Sequence, residues 1–170
     1  MRRSPGRSVL AVAVLVVLVA ACGGDDDADR GTDFVENIEA AIDAVEAERG
    51  PGQEFFEVTA TPQLTNVFVA TDDATAAIAY VYLDGELQSP APPLTGVSGF
   101  TFVADQIEFD EGAILSRIAE EVPDSTIDSL SVEGGQDATV RYVVSVRSAA
   151  GGFLDVTVSP DGAVLEVDPV

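Results

Sequence analysis

Two stretches of this chain, residues 64–85 and 141–162, carry one strand-turn-strand pattern at a spacing of 77. Val67 and Val69 fall on Val144 and Val146, Val81 falls on Val158, and Asp84-Gly85 falls on Asp161-Gly162. Self-similarity at a fixed offset is the mark of a duplicated supersecondary unit. It restricts the chain to folds that can be built from two copies of one small unit.

The order of elements agrees. Phe34, Ile38, Ala41, Ile42 and Val45 recur at helical spacing. Asp33 and Glu36 fit an N-cap with its capping-box partner, and the run 50–52 (GPG) ends the helix. Strands are expected near 54–61, 65–71 and 76–83, closed by the Asp84-Gly85 turn. Beyond them lie a proline-rich stretch at 90–93 and an extended segment at 99–107. A second helix is expected at 110–122, with Ile114, Leu115, Ile118 and Val122 on one side and Pro123 as its stop. Strands then recur near 126–133, 138–148, 153–159 and 163–167. Val140, Tyr142, Val144 and Val146 alternate with Arg141, Val143, Ser145 and Arg147, the period of a half-buried antiparallel strand. The expected fold is α+β, with tandem αβββ lobes at 33–93 and 109–170 joined by a connecting segment at 94–108.

The first thirty residues address a different question. Arg2, Arg3 and Arg7 precede an apolar run at 9–21, which suits a signal h-region and is shorter than the roughly 20 residues needed to span a bilayer. The run closes on Val19, Ala20, Ala21 and Cys22, and this resembles the lipobox of bacterial lipoproteins. The resemblance implies signal-peptidase cleavage after Ala21 and diacylglycerol on the Cys22 thiol, with the domain held at the outer face of the cell membrane. Cys22 is the only cysteine, so no intramolecular disulfide can form. Residues 1–21 are then the signal peptide, and 22–32 an acidic, flexible tether. Two or more acyl chains make a stable anchor where one does not.

The αβββ order, met twice, resembles the tandem lobes of the secreted β-lactamase inhibitor protein and of PepSY-like domains. Residues 155–165 (DVTVSPDGAVL) are similar to the closing hairpin of the latter. The layout also resembles a group of actinobacterial lipoproteins, and the all-arginine basic set matches a GC-rich genome. The resemblance covers most of residues 33–168 and carries over no binding residue. It implies a binding or regulatory module acting on an envelope protein, such as one that restrains a hydrolase.

Composition narrows the chemistry. There is no histidine and no lysine, which excludes Ser-His-Asp and Cys-His catalysis, His-ligated zinc, Schiff-base chemistry and a P-loop lysine. No cofactor is expected. Once residues 1–21 are removed, five arginines face thirty acidic residues, a balance that opposes nucleic acid. Carboxylate-based hydrolysis is the one enzymatic route left, ranked behind a non-enzymatic binding module and a small-ligand or cation-binding lipoprotein.

Two groups of residues are candidate sites. Asp25, Asp27, Asp29, Asp33 and Glu36 occupy positions 1, 3, 5, 9 and 12 of an EF-hand-like calcium loop. Against this, Arg30 stands where the loop needs glycine, Gly31 comes one residue late, and an acidic spacer before a capped helix accounts for the same residues. The second group comes from the repeat. With Leu154, Val156 and Val158 facing the core, Ser145, Asp155, Thr157 and Ser159 form the opposite, polar face. The ungapped offset sets Phe68, Ile78, Tyr80 and Tyr82 against that face. An aromatic face opposite a polar twin is either covered by residues 94–107, with Phe100 and Phe102, or open to a protein partner.

Overall fold

The valine-rich alternation along the chain produces strands with one strongly apolar side, and such strands need a helix layer on that side. The structure, a computed structural model, describes residues 33–149 and 151–170. It is α+β: two helices pack on one antiparallel sheet.

Helix α1 (Phe34–Arg49) is followed by β1 (Glu54–Ala60), β2 (Leu64–Thr71), β3 (Ala76–Leu83) and three two-residue strands. These are β4 (Glu86–Leu87), β5 (Leu94–Thr95) and β6 (Phe102–Val103). Helix α2 (Glu111–Glu121) then leads into β7 (Ser125–Gly134), β8 (Val140–Ser148), β9 (Phe153–Val158) and β10 (Val164–Pro169). The sheet runs β10-β9-β8-β7-β1-β2-β3-β4, with β5 added to β3 and β6 to β1. The strands of the two halves therefore meet in one continuous sheet. Its seam is the antiparallel pair β1–β7, with Val58 opposite Val132 and Thr59 opposite Ser131.

Both helices bury their stripes on the same sheet face. Phe34, Ile38, Ile42 and Val45 of α1, with Ile114 and Ile118 of α2, form one cluster with Val58, Val67, Tyr80, Leu130, Val144 and Val156. Tyr142 shares this face, and its hydroxyl donates to Glu108 O and accepts from Glu108 N, both at 3.0 Å. The Phe109 ring lies 5.0 Å from its own. That clamp fixes the chain just before α2.

The first capping expectation is corrected. Asp33 is the N-cap of α1 but makes no side-chain cap bond, because its backbone (φ −94°, ψ 44°) lies outside the extended conformation that folds an N-cap side chain over the first turn. The carboxylate of Glu111 reaches over from α2 instead, accepting from Phe34 N at 3.0 Å. At α2, expected at 110–122 and found at Glu111–Glu121, Asp110 is the N-cap and accepts from Ala113 N at 2.9 Å.

The chain after β4 first runs along the outer side of β3, with Gln88 N bonded to Val81 O, Ala91 N to Ala79 O and Gly96 N to Thr75 O. Prolines 90, 92 and 93 lack the N–H groups that a further strand would need there, a common way to blunt an edge. The connecting segment then passes from β3 to β1, where Phe102 and Val103 pair with Phe55 and Glu54 and Gly99 lies against the Phe56 ring.

Candidate functional site

Strand pairing decides where the predicted aromatic face lies. Val69 pairs with Ile78, Val67 with Tyr80 and Thr65 with Tyr82, so all three β3 residues share the helix side. Tyr80 is 2% exposed, and its hydroxyl meets Arg49 and Glu48 at the end of α1. Phe68 pairs with Ala79 and points the other way. The four residues are split between the two faces, and α1, not residues 94–107, covers the tyrosines. Phe102 is buried against Phe55, with ring centroids 5.8 Å apart, while Phe100 is exposed.

The reason is a shift of one residue. Val144 pairs with Val156 where Val67 pairs with Tyr80, so Tyr80 corresponds to Val156 and not to Thr157. The β8–β9 hairpin is one residue shorter than the β2–β3 hairpin, and one step along a strand reverses the face. Ile78, Tyr80 and Tyr82 then match Leu154, Val156 and Val158, the core positions of the other half.

The face opposite the helices is the broad surface that remains. Register places Asn66, Thr59, Ser131, Val143, Thr157 and Glu166 in one row across it. A second row runs Ala79, Phe68, Glu57, Glu133, Arg141. Asp155 and Asp168 pair in a third. The face is asymmetric: Phe68, Ala79 and Val81 make its β2–β3 end apolar, whereas Glu57, Glu133, Asp155, Glu166 and Asp168 line its middle and far side, and Arg147 lies over the exposed Phe153 ring at the end of β8 and β9. Among the residues of these rows Arg141 is the only base, and it sits 3.4 Å from Glu133.

The centre of the face is nearly dry and internally bonded. Val143, Ser131 and Thr157 are 6%, 8% and 9% exposed. The Thr59 hydroxyl donates to Glu57 Oε1 at 2.5 Å, so its one proton is committed, and Ser131 Oγ donates to Thr59 across the seam at 2.8 Å. Ser145 donates to Asp155 at 2.6 Å. Burial pushes the Glu133 carboxyl above its ordinary value; Arg141 opposes this, and the charges of Glu57 and Asp155 add to it. Such a surface presents acceptors held in place and a crowded negative field. Cationic donors are the groups whose chemistry complements it.

The calcium candidates divide as well. Asp25, Asp27 and Asp29 lie outside the described residues, as do Val19, Ala20, Ala21 and Cys22. Asp33 and Glu36 sit at the start of α1 and line a cleft with Asp84. Among the described residues no cluster of acidic side chains is arranged to hold a metal ion. No described helix is long and apolar enough to cross a membrane. Compared with models of known protein families and with curated proteins, the chain matches none.

Sequence reasoning missed the seam. Glu57, Thr59, Ser131 and Glu133 come from strands some 70 residues apart, and only the β1–β7 pairing brings them together. Their alternation within each strand was the available signal, but nothing local names the strand that lies alongside.

Proposed function

We propose that this chain is an extracytoplasmic lipoprotein, anchored through Cys22, whose domain is a non-enzymatic binding module for an envelope protein. The sheet face opposite the helices is its docking surface. The observation that supports this is the pairing of a half-buried apolar end (Phe68, Ala79, Val81) with rows of carboxylates on the one face that the helices leave. The fitting partner is a protein surface with a small apolar patch beside arginine or lysine side chains, since apolar contact supplies affinity and complementary charge supplies register and on-rate. The tandem αβββ reading belongs here too: duplication accounts for one helix and its strands on each side of an antiparallel seam, with the copies diverging on the docking face.

The test is photo-crosslinking in intact cells from positions 66 and 166, with position 43 on the outer side of α1 as control. The reading expects one basic protein captured from 66 and 166, absent from 43, and lost when Asp155→Arg is added. Equal capture from all three positions, or capture that survives Asp155→Arg, sinks it. The anchor is tested separately with Cys22→Ser, which should abolish labelling by an alkyne-tagged fatty acid and release the chain from membranes.

A further inference from the structure

The structure assigns a second site: we propose that the cleft between the start of α1 and the Asp84-Gly85 turn binds a small organic amine through its ammonium group. The observations are independent of the sheet face, because the cleft lies on the helix side.

The two helix–turn junctions are built from corresponding residues and end differently. In the second, Asp110 N donates to Pro160 O at 3.0 Å, and Gly162 packs so closely on α2 that a Cβ there would stand 2.8 Å from the Ala113 carbonyl. That turn is shut against its helix. In the first, Gly85 has nothing within 4 Å of the corresponding position, and a cleft of about 250 Å³ remains. Strand register shows how the polar group comes to be there: Thr65 occupies the place that Tyr142 fills in the second half. The ring stands on the neighbouring strand instead, where Tyr82, paired with Thr65 as Val158 is with Tyr142, lines the cleft.

That space is polar, and one of its groups lacks a partner. Thr65 lines the cleft, is 1% exposed, and its Oγ1 makes no hydrogen bond. A buried hydroxyl without a partner is unfavourable, and native structures keep very few. Asp33, Glu36 and Asp84 supply negative charge around it, with Asn37 beside them. The carboxylates do not group as metal ligands. An ammonium group fits better: its three N–H donors can be shared among separated carboxylates and the threonine oxygen. The volume is that of about eight waters in the liquid, which sets the ligand as a compound of few heavy atoms.

The experiment is titration of the full-length ¹⁵N-labelled chain in detergent with putrescine and with ethanolamine. Tetramethylammonium, which has charge but no N–H donor, and ethylene glycol, which has no charge, are the controls. Saturable shifts confined to the amides of Asn37, Thr65, Asp84 and their neighbours are expected for the amines and not for the controls. Thr65→Val and Asp84→Asn should each weaken binding at least tenfold while unfolding at or above the wild-type midpoint. Shifts spread evenly over the acidic surface, equal shifts with tetramethylammonium, or saturation unchanged in both variants overturn the proposal. So does a site that takes Ca²⁺ and ignores both amines.

Discussion

The backbone N–H of Phe34 donates to the Glu111 carboxylate at 3.0 Å, and each is the first residue of its helix. One helix thus supplies the cap that the other lacks. The contact joins the halves on the helix side as β1–β7 joins them in the sheet. Glu111→Ala should lower stability by about 1 kcal/mol, as for loss of an N-terminal cap, measured by urea unfolding. Glu111→Gln retains an acceptor oxygen and should cost much less.

The two glutamates raised by burial give the pH response its sign. Glu111 and Glu133 both bind their proton more tightly in the folded chain than at the ordinary value of 4.5. For such groups the folded state holds more protons, so stability is greatest below the unfolded value and falls as pH rises through the higher folded value. The midpoint of thermal unfolding should therefore drop as pH is raised from about 4.5 towards neutrality. Glu133→Gln should flatten that slope and raise the midpoint at neutral pH. An unchanged slope in that variant would remove burial at Glu133 as the cause.

The buried Thr65 hydroxyl predicts a gain on its removal. Thr65→Val replaces an unpartnered polar group with a methyl, and the stability should rise by about 1 kcal/mol, the lower end of what such a group costs. Urea midpoints with unchanged slope are the measurement. A loss instead would mean that the hydroxyl is partnered in solution.

Two glycines at matching turns should respond unequally. Gly85 (φ +81°) meets nothing with an added Cβ, so Gly85→Ala carries only the left-handed penalty of about 1 kcal/mol. Gly162 (φ +84°) carries the same penalty and also meets the Ala113 carbonyl at 2.8 Å, so Gly162→Ala must shift backbone as well. Thermal melts of the pair should show the second clearly lower. Equal losses would mean that the β9–β10 turn is not held against α2.

Local pattern carried the sequence reading a long way. The stripe of α1 and the alternation in β8 are patterns among residues near in the chain, and each was legible. The offset of 77 also survives at the helix starts, where Asp33 matches Asp110 as N-cap. It failed in β3 because a β8–β9 hairpin one residue shorter displaces the strand that follows by one, until a longer β9–β10 turn restores the offset, and a sheet turns that shift into a change of face. The cross-helix cap and the Glu57–Glu133 pairing were not legible, since both depend on elements that come together only in three dimensions.

The seam between β1 and β7 also sets an order of events for a chain that emerges amino end first. Residues 57–60 must wait for 130–133 before the middle of the sheet can close. Until then the inner edge of β1 is an open row of donors and acceptors, able to pair with any passing strand. Contacts of such long reach make folding slow, so the newly made chain spends its most vulnerable interval half-assembled.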